Sequence, residues 1–205
     1  MQLGAVKIDS NNIICAMGND SGEIMSTTVF PVSTQEKALE DIVSYYKAKR
    51  SKGIGIAISQ CMDSSWDINS LFKSIESSFK CPVAYDTLGS CTILGENTFG
   101  SCKGLKNCMC MISGDKSEIG VIFAGKQVKN LQPIELSDEN VDKLIEDYKP
   151  EKIVTEADSI MVLKGALIVI RKVALKADEL IIYMIVEYCI LINVVLLFCL
   201  KRLNI

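Results

Sequence analysis

Short apolar segments alternate with amphipathic helical segments over residues 3–128, and this alternation limits the fold more than any other feature of the sequence. Three strand-like segments come first and are separated by polar turns at 9–12 and 19–22. The predicted order is βββαβαβαββ, with strands at 3–8, 13–17, 23–30, 54–59, 82–85, 107–113 and 119–123 and helices at 33–52, 68–79 and 88–99. Such an order favours an α/β sheet whose faces are covered by helices.

Capping residues indicate where helices begin. Ser33 and Glu36 have the spacing of a capping box, in which each side chain binds the exposed backbone N–H of the other residue. Ser137 is predicted to cap a further helix with Asp138 in its first turn, and an apolar helix is predicted over 159–176. We therefore divide the chain into an α/β part at 1–128, a mainly helical part at 129–178 and a hydrophobic C-terminal helix at 179–205.

The segment 180–200 is long enough to cross a bilayer as a helix, since 14 of its 21 residues are Leu, Ile, Val or Phe. Glu187 lies inside it and opposes insertion. Two interpretations stay open. The segment is either a membrane anchor or a helix buried in a core or an oligomer interface.

Composition excludes several classes of site. The chain has no histidine, which rules out a histidine general base, a Cys/His zinc site and Ser-His-Asp or Cys-His catalysis. The formal net charge of −3 argues against a nucleic-acid partner, because phosphate contacts need a basic excess. The nine cysteines are irregularly spaced without a C-x-x-C pair, and the N-terminus has no signal-peptide pattern. Reduced cysteines in a cytoplasmic protein are therefore expected.

Two turns between strands are candidate phosphate-binding loops. The first, Ile8–Asn12, has small polar residues but no glycine, whereas phosphate loops use glycine to bring backbone N–H groups close to the ligand. The second, Gly114–Gly120, contains Lys116 but also Asp115 and Glu118. On chemistry alone, neither pattern differs from an ordinary hairpin turn.

Several short motifs in a fixed order carry a family resemblance over residues 4–126. The most specific are Leu94-Gly95-Glu96, Phe99-Gly100 and the run Cys102-Lys103-Gly104-Leu105-Lys106-Asn107-Cys108, followed by Gly125-Lys126. With these motifs the chain resembles the ROK family of sugar kinases, in its bacterial fructokinase branch. The resemblance implies an α/β, actin/hexokinase-like (ribonuclease H-like) lobe at 1–128 with a reduced, mainly helical C-terminal remnant of the second lobe at 129–178.

The resemblance also implies where the kinase site would lie. The first phosphate loop of the family aligns with residues 7–12, and both of its glycines are missing here. The position of the catalytic base is Leu88, so Asp86 is the nearest carboxylate and the candidate catalytic residue. The candidate nucleotide- and phosphate-binding residues are Asp9, Ser10, Asn11, Gly114, Lys116 and Gly120.

Three functions follow as hypotheses. The first is a catalytically inactive relative of the sugar kinases that acts by binding a small sugar or a protein partner, or as a homodimer. The second is an active ATP-dependent hexose or fructose kinase that uses Mg-ATP. The third is an interaction protein tethered to a membrane through 180–200. None of them implies a zinc ion or a nucleic acid, and only the second needs a cofactor.

Overall fold

The computed structural model describes residues 1–113, 116–155, 158–177 and 179. The chain divides into two compact units, Met1–Arg171 and Lys172–Ile205. The sheets and the sites lie in the first unit. In the second unit, residues 172–177 and 179 are helical, and the proposed anchor at 180–200 lies outside the described residues.

Five strands form the first sheet, in the order β3-β2-β1-β4-β5. These strands are β1 (Gln2–Ile8), β2 (Asn12–Asn19), β3 (Ile24–Pro31), β4 (Ile54–Ile58) and β5 (Val83–Thr87). The first three pair antiparallel, and β4 and β5 run parallel to β1. Helices α1 (Gln35–Lys47) and α2 (Ile68–Ser78) share one apolar cluster with this sheet.

Four strands form a second sheet, in the order β8-β7-β6-β9. They are β6 (Cys108–Ile112), β7 (Glu118–Phe123), β8 (Lys126–Gln127) and β9 (Lys152–Val154). Strands β6 to β8 pair antiparallel, and β9 runs parallel to β6, as β4 does to β1. The sequence pattern suggested a single sheet. The strands from residue 108 onward instead form a sheet of their own. They repeat the order of the first four strands of the first sheet.

Helix α3 (Leu88–Phe99) follows β5, and α4 (Asp138–Tyr148) precedes β9. A fifth helix, α5, covers residues 159–171 of the first unit, as expected. The α/β fold class and the order of elements up to β7 are confirmed. Ser137 caps α4 as predicted, since its side chain accepts a hydrogen bond from the backbone N–H of Asn140.

The predicted capping box at Ser33 is wrong by one residue. Thr34 is the cap of α1, and its hydroxyl accepts a hydrogen bond from the backbone N–H of Lys37. Either hydroxyl residue can cap a helix, and the extended backbone of Thr34, with ψ at 161°, decides which one does. A lysine stands at the third helical position, so the acid that would complete the box is not there.

The expectation that all cysteines are reduced is wrong for one buried pair. Cys102 and Cys108 form a disulfide beside β6. Cys15, Cys81, Cys91 and Cys110 are not in a disulfide within the described residues. Burial raises the pKa of both Cys15 and Cys110 to about 12, so these side chains stay protonated and act as small apolar groups.

Helix α5 packs against its neighbours at backbone distance, and glycines make this possible. A β-carbon on Gly165 would collide with the carbonyl oxygen of Cys91 in α3. One on Gly95 of α3 would collide with the carbonyl oxygen of Met161, and one on Gly55 of β4 with that of Ala166. The three glycines therefore fix how closely α3, α5 and β4 approach.

Across the described ranges, the structure contains no helix that is both long and apolar enough to cross a membrane.

Candidate functional site

A cavity of about 430 Å³ lies where parallel strands of both sheets end. Its wall contains the residue that follows β1 (Asp9), β4 (Ser59), β5 (Leu88), β6 (Ser113) and β9 (Thr155). The remaining lining residues are Lys7, Ser10, Asn11, Cys61, Ile112, Lys116 and Glu118. Open α/β sheets bind ligands at the carboxyl ends of their strands, so this cavity is the candidate site.

In the β1–β2 turn, backbone N–H groups donate hydrogen bonds to a side chain of the turn itself. Asp9 Oδ1 accepts hydrogen bonds from the backbone N–H of Asn11 at 2.9 Å and of Asn12 at 2.8 Å. The ammonium group of Lys7 binds Asp9 Oδ2. Burial raises the pKa of Asp9, but the Lys7 ammonium and the backbone N–H groups of Asn12 and Asn11 outweigh it and hold the pKa below its ordinary value. Asp9 is therefore an ionised, paired carboxylate that closes an Asx turn.

Glu118 places a second carboxylate in the cavity wall, and it is 3% exposed. Its Oε1 accepts hydrogen bonds from Ser59 Oγ at 2.6 Å and from the backbone N–H of Gln60 at 3.0 Å. Its Oε2 has no hydrogen bond of good geometry among the described residues, although the backbone N–H groups of Gly89 and Leu88 lie close enough to favour the charged form. Burial outweighs all these donors and raises the pKa of Glu118.

Replacing Glu118 with glutamine is expected to change how stability depends on pH. The pKa of Glu118 in the folded protein lies above the ordinary 4.5. At pH values between these two pKa values, the folded protein therefore keeps a proton that the unfolded chain has released. The stability that this proton contributes is complete below the unfolded-state pKa and is lost as pH rises through the folded-state pKa. The free energy of unfolding of the unsubstituted protein should therefore fall, relative to Glu118→Gln, as pH rises across this window.

Urea unfolding at a series of pH values measures this effect. Glu139→Gln, at an exposed position of α4, is the matched control and should run parallel to the unsubstituted protein. Parallel curves for Glu118→Gln would show that Glu118 titrates alike in the folded and unfolded chain.

The structure brings some of the predicted site residues together and leaves others apart. Asp9, Ser10, Asn11 and Lys116 all line the cavity, and Leu88 lies beside them. Gly120 lies inside β7 and packs against the backbone of α3, where a β-carbon would collide with Gly89 O. Gly114 lies outside the described residues. That any of these residues binds phosphate stays a prediction.

Asp86, the candidate catalytic carboxylate, lies at the end of β5 and is absent from the cavity lining described above. Its Oδ2 binds Lys129 Nζ, and its Oδ1 accepts a hydrogen bond from the backbone N–H of Thr87. The carboxylate is thus already engaged with a cation and a backbone donor.

Sequence reasoning missed Ser59 and Thr155 as lining residues. Each is the first polar residue after a short apolar strand, which was the available signal. The described residues contain no cluster of three or more acidic or cysteine side chains that could hold a metal ion.

One curated protein resembles the chain in sequence. It comes from Bacillus subtilis (strain 168), bears the name "Putative fructokinase", and is 23% identical over 150 residues, which cover 65% of this chain and 50% of that protein. The chain thus spans about half the length of the curated relative it matches. No family model matches the chain.

Solved ROK structures share its fold. A ROK family glucokinase from Streptomyces griseus, in complex with glucose and AMPPNP, superposes with a TM-score of 0.57 at 19% identity, covering 64% of this chain and 47% of that one. An inorganic polyphosphate/ATP-glucomannokinase from Arthrobacter sp. strain KM gives a TM-score of 0.68 at 15% identity, covering 85% of this chain and 99% of that one. A ROK hexokinase from Thermus thermophilus gives 0.54 at 15% identity, covering 64% and 49%.

The two sheets and the cleft at their strand ends define an actin/hexokinase-like α/β fold. Within that class, the chain resembles the ROK sugar kinases. The resemblance and fold class predicted from the sequence are confirmed.

Proposed function

We propose that this chain is a ROK-type sugar kinase homologue that does not transfer phosphate and instead binds a small neutral polar ligand, such as a sugar, in the cleft. The observation that carries this proposal is that carboxylates of the chain itself take up hydrogen-bond donors at the two turns that the resemblance aligns with phosphate loops. Asp9, in the first turn, accepts the backbone N–H groups of Asn11 and Asn12, and Glu118, in the second, accepts Ser59 Oγ and Gln60 N–H.

Electrostatics supports this interpretation. A phosphate about 4 Å from an ionised carboxylate is destabilised by about 4 kcal/mol at an effective dielectric constant of 20. Lys7 offsets Asp9. Glu118 has no cationic partner among the described residues, so above its raised pKa, where it is ionised, its repulsion of a phosphate is not offset by an ion pair. Lys116 adds one cation to the lining, and its other polar residues, Ser10, Asn11, Ser113 and Thr155, offer hydroxyl and amide groups that suit the hydroxyl groups of a sugar.

The position that the resemblance assigns to the general base adds to this argument. Leu88 is buried there and cannot accept a proton. Loss of a general base typically lowers a rate by about 10²–10⁴-fold. Asp86, two residues away, is bound to Lys129.

Phosphate transfer from Mg-ATP to fructose and glucose tests the inactivity, with the Streptomyces griseus glucokinase as a positive control for the assay. We expect no turnover above the blank. Turnover by this chain that Asp86→Asn abolishes, with the circular dichroism spectrum unchanged, would contradict the proposal and favour an active kinase.

Thermal unfolding tests the ligand. A ligand at about ten times its Kd stabilises a protein by about 1.4 kcal/mol, which raises the Tm of a chain of this size by roughly 3–6 °C. We expect such a shift with one of a panel of neutral hexoses and none with Mg-ATP. Thr155→Val should reduce the shift, whereas Thr27→Val, at an exposed position of β3, should not. A shift with Mg-ATP alone would contradict the proposal.

A cytoplasmic location and a homodimer or protein partner belong to the same proposal. Sedimentation equilibrium of the purified chain tests the dimer, and cell fractionation with and without residues 178–205 tests the location.

A further inference from the structure

A second cavity lies at the end of the first sheet where its parallel strand β4 begins, and cationic side chains surround its opening. It has a volume of about 360 Å³ and lies beside Ile54, where β4 begins, whereas the cleft lies where β4 ends. Lys47, Lys49, Arg50 and Lys80 all line it, and none of the lining residues in the described part of the chain is acidic. Four positive charges around one cavity are notable in a chain whose net charge is −3.

The floor of this basic pocket is apolar and partly aromatic. Val43, Phe79 and Cys81 line it with partly exposed side chains, whereas Tyr46 and Ile54, which also line it, are buried. Two hydroxyl residues, Ser51 and Ser78, complete the lining. The pocket therefore offers a rim for an anionic group and a surface for a flat apolar body.

Three of the four side-chain cations have no hydrogen-bond or ion-pair partner among the described residues. Lys49 donates a hydrogen bond to the Tyr45 carbonyl oxygen and lies over the Tyr45 ring. The side chains of Lys47, Arg50 and Lys80 make neither a hydrogen bond nor an ion pair within the part of the chain that the structure describes. Cations held close together without carboxylates repel one another, and an anion between them would relieve that repulsion.

The helix ends do not cancel this charge. Helices α1 and α2 both end at the pocket, and each C-terminus carries roughly half a negative charge. Four full positive charges outweigh the two helix ends together. An arginine among the lysines suits phosphate, because the planar guanidinium group of arginine donates two parallel hydrogen bonds to phosphate oxygens.

We propose that this basic pocket binds a small phosphate monoester with an apolar body. The phosphate group lies among Arg50, Lys47 and Lys80, and the apolar body lies on Val43 and Phe79. This site is separate from the cleft and does not depend on the function proposed for it.

Calorimetric titration of the full-length chain tests this site with three probes: 1-naphthyl phosphate, 1-naphthol and inorganic phosphate. We expect 1-naphthyl phosphate to bind more tightly than either half, and its affinity to fall as salt is added. Binding of 1-naphthol as tight as that of the ester would overturn the role of the cations. No binding of the ester at low salt would overturn the proposal as a whole.

Charge-removing variants locate the site. Arg50→Gln with Lys80→Gln should weaken binding of 1-naphthyl phosphate by about tenfold or more, because charge-assisted contacts to the phosphate are lost. Lys73→Gln with Lys103→Gln removes the same charge from exposed positions outside the pocket and should leave the Kd within about twofold. Equal weakening in both double variants would show that only overall charge matters and would overturn the proposal. Sedimentation with vesicles of phosphatidylcholine and phosphatidate then distinguishes a lipid phosphate from a free ester.

Discussion

Replacing Gly165 with alanine is expected to lower the free energy of unfolding by about 3 kcal/mol, and valine should lower it further. At most helix interiors the change from glycine to alanine stabilises by about 1 kcal/mol, because alanine has the higher helix propensity. At Gly165 the sign reverses, since the added β-carbon collides with the backbone carbonyl oxygen of Cys91. A backbone atom cannot rotate away as a side chain can, so α3 and α5 must separate.

Urea unfolding monitored by circular dichroism measures this loss. Ser77→Ala, at an exposed position of α2, is the control for helix propensity and should leave stability unchanged or slightly increased. Gly95→Ala should resemble Gly165→Ala, because it tests the same contact from the other helix, where Met161 O is the obstacle. A Gly165→Ala protein as stable as its parent would show that α5 does not pack on α3.

Replacing Tyr46 with phenylalanine is expected to cost about 1–3 kcal/mol of stability, although it removes only one oxygen atom. The Tyr46 hydroxyl lies 2.8 Å from Ala5 O and 2.9 Å from Ala16 O and shares its one proton between these two acceptors, which belong to residues that face each other across β1 and β2. The side chain is 2% exposed, so water does not replace the lost bond. Tyr46→Ala, which also leaves a cavity, should cost about 3–5 kcal/mol.

The neighbouring tyrosine supplies a matched control. Tyr45 is also largely buried, but its hydroxyl lies 3.2 Å from Ser26 Oγ and 3.3 Å from Ser26 O, and these contacts are only partly buried because Ser26 is exposed. Tyr45→Phe should therefore cost about 1 kcal/mol or less, because solvent can replace these contacts. Equal losses for the two variants, measured by urea unfolding, would contradict the role assigned to the Tyr46 hydroxyl.

Much of the secondary structure could be predicted, because it depends on local patterns. Residues of one strand alternate between faces and residues of one helix recur about every fourth position, so element type is visible in a short window. The cap of α1 was misplaced because Ser33 and Thr34 are adjacent and chemically equivalent as caps. Only the backbone conformation at Thr34 distinguishes them.

The division into two sheets was not visible in the sequence. Strand β6 has the pattern of a buried strand, but that pattern does not say whether its neighbour is β4 or β7. The repeated strand order, β3-β2-β1-β4 and then β8-β7-β6-β9, is likewise a property of pairing. The Cys102–Cys108 disulfide depends on how residues 102–108 turn before β6 begins.

The cleft combines a predictable part with an unpredictable one. Asp9, Ser10, Asn11 and Lys116 were placed by motif order, and the structure brings them to one cavity. Ser59 was missed because it lies 59 residues from its hydrogen-bond partner Glu118. The pairing of Asp86 with Lys129, 43 residues away, was missed for the same reason.

By itself, the sequence determined the α/β class and the positions of most strands and helices. Only the tertiary structure decided that Glu118 is buried in the cavity wall, that glycines let α5 approach α3, and that four cations surround a second cavity. The physical reason is one of range. Side-chain periodicity and turn preferences act over a few neighbouring residues, whereas burial, charge pairing and backbone contact depend on residues that the chain brings together from far apart.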